Sequence, residues 1–298
     1  METRTVLRLT LSLTLLAFLA ACAPATNSTP TTYQSSEAAQ SEIIGGMNVD
    51  LKFAQQNGVV GIFDAESGGL CTGSLIAANL VITAGHCVNV SHPTAMLVFF
   101  TPNFQEAIIR DQTGNFKYNP KLVRAGLKVI RHEKYGDASI KETDAQHDVA
   151  LIRLESAAPA EFSLAQLAPS QLTTSLHAGS LVTLAGYGVS TYKADPKSGR
   201  PLASTGSGLL RKVDKIQVLT VRPNGEEIMF DQSQGRGACH GDSGGPAYFT
   251  DAVSKKTFVI GVTSRDASPN RSCDSKTIYT GMMGYSDWIN ANSKQILK

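Results

Sequence analysis

The chain has 298 residues, 42% of them hydrophobic and 17% charged, with a formal net charge of +2. Once the first segment is set aside, that is the composition of an ordinary globular protein, long enough to bury one large β domain or two barrel-like halves. It excludes the basic stripe of a nucleic-acid binder, and no block of like charge marks an interaction tail.

In chain order, Arg4 and Arg8 precede an apolar run from Leu9 to Ala21 that is too short to span a bilayer comfortably. Residues 1–21 therefore read as an export signal. The segment Leu19-Ala20-Ala21-Cys22 resembles the lipobox of bacterial lipoproteins, which implies cleavage before Cys22 and acylation of its sulfur, placing the chain on a membrane. The alternative is an ordinary signal peptide ending near Ala23, which would discard Cys22. Five cysteines leave one unpaired in an exported protein, and a lipid on Cys22 accounts for it. Residues 22–42 are rich in Thr, Ser, Ala, Pro and Gln and read as a flexible tether or propeptide, because so few large apolar groups cannot offset the entropy of ordering.

From Ile43 onward, short apolar or alternating runs are punctuated by Gly, Asn, Asp and Ser. Gly58 to Phe63, Leu80 to Thr83, Met96 to Phe100, Val149 to Leu154, Ser180 to Leu184 and Phe258 to Thr263 are the clearest. This spacing predicts an all-β sandwich or barrel. Tyr285, Trp288, Ile289 and Ile296 fall near one helical face and predict a C-terminal helix. The stretch from Ser190 to Gly208 reads as a long exposed loop.

The sharpest chemical signal is Gly241-Asp242-Ser243-Gly244-Gly245-Pro246, a serine flanked by glycines that let backbone amides approach a reacting oxygen. A serine hydroxyl needs a base to take its proton, and the base needs a carboxylate to fix its tautomer. His86 lies just past an apolar run in Val81-Ile82-Thr83-Ala84-Gly85-His86-Cys87, and Asp148 opens Asp148-Val149-Ala150-Leu151-Ile152-Arg153-Leu154. His147 and His240 read as site-lining or solvent-facing residues rather than bases, and no metal-ligand cluster or cofactor motif accompanies them.

These three segments resemble the motifs of the trypsin-like serine proteases in order and spacing, over nearly everything from Ile43 to Trp288. Ile43-Ile44-Gly45-Gly46 resembles the family's activated N-terminus, Gly186-Tyr187-Gly188 its Gly-Trp-Gly segment, and Tyr285 with Trp288-Ile289 its C-terminal helix. The resemblance implies two antiparallel six-stranded β-barrels of the chymotrypsin type over residues 43–298, divided near 165, with His86, Asp148 and Ser243 as the catalytic triad. It implies an oxyanion hole from the amides of Gly241 and Ser243, and disulfides Cys71–Cys87 and Cys239–Cys273. Closing the first of these loops, of about 15 residues, is worth roughly 3 kcal/mol in the chain-entropy model. It also implies that the chain is made as a zymogen: cleavage before Ile43 frees an ammonium that pairs with Asp242 and assembles the oxyanion hole and pocket, and the uncleaved chain is expected to be a poor enzyme. That cut follows Glu42, so a protease other than one with trypsin's preference is the expected activator, and the cut severs the chain from Cys22.

The residues at the family's substrate-pocket positions are Gly237, Ser264, Asp266 and Thr277. Gly237 stands where a preference for Lys or Arg would need an aspartate, and Arg265, Asp266 and Thr277 replace the family's usual Trp, Gly and Gly. Side chains at the last two positions narrow the pocket in elastase-like members, which favours small uncharged residues before the cut, against a basic preference supplied by Asp266. Gly85 replaces the usual alanine. The competing readings are a non-catalytic binding lipoprotein on the same barrels and an esterase using the same triad.

Overall fold

The computed structural model describes residues 43–195, 201–268 and 271–298. The export signal, the tether and Cys22 lie outside the described residues.

A short strand, β1 (Met47–Asn48), leads into helix α1 (Leu51–Asn57), a helix the sequence reading did not anticipate. Asp50 caps it by accepting from the Phe53 amide at 2.9 Å, and Gly58 ends it with φ of 64°. The first barrel follows from β2 (Val59–Asp64), β3 (Leu70–Ala77), β4 (Leu80–Thr83) and β5 (Met96–Phe99). A small ribbon of β6 (Ile108–Arg110) and β7 (Phe116–Tyr118) projects from it before β8 (Val123–Arg131) and β9 (Ala150–Leu154). The order β2-β3-β4-β9-β8-β5 closes on itself, which leaves no strand edge unpaired. Val60, Ile62, Leu75, Leu80, Ile82, Val98 and Ile152 fill it, all buried.

The chain passes to the second barrel between Leu154 and Leu181. This barrel contains β10 (Leu181–Gly186), then β13 (Arg211–Val221), β14 (Glu227–Asp231), β15 (Pro246–Thr250), β16 (Thr257–Asp266) and β17 (Lys276–Gly281). Its order is β13-β10-β15-β16-β17-β14, closed by the β13–β14 pairing, with β1 added outside β13. Leu184, Val218, Ile228, Phe230, Ile260 and Tyr279 form its core. The final helix, α2 (Ser286–Ile296), leaves the second barrel and packs on β8 and β9 of the first. Its Ile289 and Ile296 are buried, and the Arg153 guanidinium donates to the Ile296 carbonyl at 3.0 Å.

One expectation is corrected. Between Ser190 and Gly208 the chain is not simply a loop, because β11 (Thr191–Ala194) pairs antiparallel with β12 (Pro201–Thr205). The hydroxyls of Thr191 and Thr205 meet across the strands at 2.7 Å, a cross-strand contact that local composition does not reveal.

Candidate active site

The site lies where the barrels meet. His86 sits in a single 3₁₀ turn, Gly85–Cys87, just after β4, and the Cys71–Cys87 disulfide ties that turn to β3. Asp148, just before β9, is only 3% exposed. Its Oδ1 accepts from the His86 backbone amide at 2.9 Å and its Oδ2 lies 2.8 Å from His86 Nδ1. The second barrel completes the grip: the Ser264 hydroxyl donates to Oδ2 at 2.7 Å, and Thr280 Oγ1 donates to the Asp148 carbonyl at 2.9 Å. Burial by itself pulls the His86 imidazole down, but the hydrogen bond and charge of Asp148 outweigh it, leaving His86 above its ordinary proton affinity.

Gly85 has little spare room. A Cβ there would lie 3.1 Å from Asp148 Oδ1 and 3.2 Å from both the Tyr135 ring and Val149 N, so an alanine would need these neighbours to give by a few tenths of an ångström.

Ser243 and His86 line the same two clefts, of about 630 and 450 Å³. Among the described residues Ser243 Oγ and the imidazole form no hydrogen bond with each other; the two groups face a common space. The loop carrying Ser243 is fixed through its carbonyls. His240 O accepts from Val189 N at 2.9 Å and Ser243 O accepts from Thr72 N at 2.8 Å. Gly241 O accepts from the Thr72 hydroxyl at 3.0 Å. Gly241 itself adopts φ of 93°, a conformation suited to glycine. With these peptide planes set, the amides of Gly241 and Ser243 donate to no acceptor among the described residues.

Asp242 points the other way, into the second barrel. It is fully buried, its Oδ1 accepting from Gly188 N and its Oδ2 from Cys239 N, each at 2.8 Å. Burial pushes its carboxyl up to about 7, against the pull of these two amides and of Arg211. Ile43 is buried in the core of the second barrel, and Ile44 O accepts from Gly237 N at 2.8 Å. In the intact chain the Ile43 nitrogen is a peptide nitrogen, so the expected ion pair with Asp242 does not exist in this form and backbone amides hold the carboxylate.

Of the expected pocket residues, Ser264, Asp266 and Thr277 line the larger cleft. Gly237 does not. A Cβ on Gly237 would fall 2.2 Å from Gln232 Oε1, so Gln232 occupies the space a side chain at 237 would enter. Gln232 is fully buried; Oε1 accepts from Ala238 N at 2.6 Å, and Nε2 donates to the carbonyls of Ala238 and Cys273, both at 3.1 Å. Asp266 is engaged as well, accepting from Ser268 N at 2.7 Å and Cys273 N at 2.8 Å. Arg265 turns aside to form a two-point ion pair with buried Glu227, at 2.7 and 3.3 Å. Gln232 and Glu227 were not read from the sequence.

The other histidines are placed apart. His147 stacks on His132 with ring centres 4.8 Å apart and bonds the Tyr285 hydroxyl at 2.8 Å, behind Asp148. His240 lines both clefts and packs on Tyr192 at 4.5 Å. Two groups with metal-ligand spacing, Cys71-His86-Cys87 and Cys239-His240-Cys273, have their sulfurs committed to the disulfides Cys71–Cys87 and Cys239–Cys273, which leaves no thiolate to bind an ion.

Two closed six-stranded antiparallel barrels with a C-terminal helix, and a serine, a histidine and an aspartate at their seam, define the chymotrypsin fold. The solved structure of HL collagenase matches 85% of this chain and 99% of its own with a TM-score of 0.61, at 21% identity, a likeness of fold. The chain belongs to the trypsin family, whose model matches residues 49–289. Serine protease SP24D of Anopheles gambiae is 32% identical over 202 residues, covering 67% of this chain and 66% of that protein. The phenoloxidase-activating enzyme of Bombyx mori is 29% identical over 240 residues, covering 74% of this chain and 53% of that protein. This chain thus spans less than two thirds of the length of these relatives.

Proposed function

We propose that this protein is a serine endopeptidase working through an acyl-enzyme, with Ser243 as nucleophile, His86 as general base and acid, and Asp148 as its orienting carboxylate. Ser243 Oγ attacks a peptide carbonyl while His86 Nε2 takes its proton, and His86 then protonates the departing amine. Water repeats the sequence on the acyl-enzyme. The undonated amides of Gly241 and Ser243 receive the developing oxyanion, at about 2.7 to 4 kcal/mol per donor in a comparable case. The observation that carries this reading is the Asp148 carboxylate gripping both the backbone and Nδ1 of His86, at 2.9 and 2.8 Å, beside a cleft that also holds Ser243.

For the residue before the scissile bond, small uncharged side chains are favoured. Gln232 blocks Gly237, and the Asp266 oxygens already serve two loop amides. Cleavage before Ile43 by a second protease raises activity by supplying an ammonium to Asp242, and the cut releases the domain from a lipid on Cys22. The anchor rests on the Leu19–Cys22 segment alone, since the relatives described above are animal proteins.

Labelling with a fluorophosphonate, beside a Ser243→Ala control, tests the central claim. Labelling that disappears in the control supports it, and a folded chain that never labels points to a binding protein on the same barrels. Comparing peptide with ester substrates separates endopeptidase from esterase.

A further inference from the structure

Arg211 opens β13 and is completely buried, the largest fully buried side chain among the described residues. Its Nε donates to Asn48 Oδ1 at 3.1 Å, tying β13 to β1. Its Nη1 donates to the carbonyls of Gly188 at 3.0 Å, Leu209 at 3.2 Å and Gly206. Gly188 is also the residue whose amide donates to Asp242 Oδ1. One glycine thus stands between a buried cation and a buried anion, its carbonyl turned to the guanidinium and its N–H to the carboxylate. No larger residue fits there, because a Cβ on Gly188 would lie 2.5 Å from Asp242 Cγ.

A carboxylate taken out of water needs positive charge close by or it gives up its own charge. In the intact chain the Ile43 nitrogen is an amide and supplies none, whereas a guanidinium stays protonated at every working pH. Arg211 acts on Asp242 in the required direction, drawing its proton affinity down against the effect of burial.

We infer that Arg211 is a positioning residue that holds Asp242, and through it the Gly241–Ser243 loop, in working order before any cleavage, so that the intact chain is active while still joined to its N-terminal segment. This rests on Ser243 being the nucleophile. After cleavage the Ile43 ammonium shares the task, so dependence on Arg211 is steep in the intact form and shallow in the cut one.

The test uses the full chain with residues 38–42 replaced by an enteropeptidase site, so that one preparation is assayed before and after release of Ile43. Fluorophosphonate labelling rates are measured for wild type, Arg211→Gln and Arg211→Lys, with the added protease removed and chain integrity checked by intact mass. Wild type is expected to label before cleavage at a rate within about tenfold of the cut form, a difference of no more than about 1.4 kcal/mol. Arg211→Gln should slow the intact form by about 30-fold and the cut form by less than about fivefold, since only the intact form depends on this one cation. Arg211→Lys, which keeps the charge, should restore most of the intact-form rate. A purely structural role would slow both forms equally, and that result overturns the inference. Labelling of the cut wild type alone also overturns it while leaving the proposed function standing; no labelling of either form removes both. If Arg211→Gln does not fold, the separate rates of Arg211→Lys decide: an intact-form rate near that of wild type supports the inference, and an equal loss in both forms overturns it.

Discussion

Substituting Gly237→Asp is the obvious way to seek a preference for Lys or Arg in this family, and here it should fail. Gly237 has φ of 152°, and an added Cβ would meet Gln232 Oε1 at 2.2 Å and Cδ at 2.3 Å. Gln232 would have to leave, breaking three buried hydrogen bonds to Ala238 and Cys273. At about 1 kcal/mol net for each bond, the loss is about 3 kcal/mol before the new carboxylate's own burial is counted. For a domain of this size that lowers Tm by about 6 to 12 °C. Thermal unfolding of the Gly237→Asp chain, paired with cleavage profiling on a peptide library, checks both halves. A variant that melts like wild type and cuts after Lys or Arg would refute the assignment of Gln232 as the filler of this space.

Further outcomes are expected at the same site. Because activity needs neutral His86 and Asp148 raises its proton affinity, the acid limb of kcat/KM should lie above the ordinary imidazole value of 6.5. In Asp148→Asn the limb should move to lower pH and kcat fall by about ten-thousandfold. The same raised affinity means that His86 contributes its stability in full below pH 6.5 and loses it as pH rises through the folded value, which a pH series of melting curves would register. Ser264→Ala removes the 2.7 Å bond to Asp148 and should cut kcat/KM about tenfold, roughly 1.4 kcal/mol, while Tm changes little. Replacing both Cys71 and Cys87 by Ser should cost about 3 kcal/mol and lower Tm measurably, and activity should fall with it because the His86 turn loses its tie to β3.

What the sequence made legible follows the local character of each signal. His86, Asp148 and Ser243 stand in contiguous motifs, and the helix over Ser286–Ile296 announces itself by apolar spacing. The β11–β12 ribbon did not, because Ser, Gly, Lys and Pro between Ser190 and Gly208 read as loop, and only pairing across the turn makes the strands. Gln232, Glu227 and Arg211 escaped for a related reason: a polar side chain's burial is decided by partners far along the chain, as with Gln232 and Cys273, 41 residues apart. Arg211 did leave a trace, as a charge on the same inward face of β13 as Val213.

The loop that carries Ser243 belongs to the second barrel, yet two of its carbonyls are held by Thr72 of the first, at 2.8 and 3.0 Å. Neither half of the chain therefore carries the site alone. A polypeptide whose barrels have not docked has Ser243 on one side and His86 on the other, and lacks the ties that set the Gly241 and Ser243 peptide planes. On the proposed function, the seam inside one chain acts as a safety interlock: the site is complete only while the two barrels are docked, and is lost when they part.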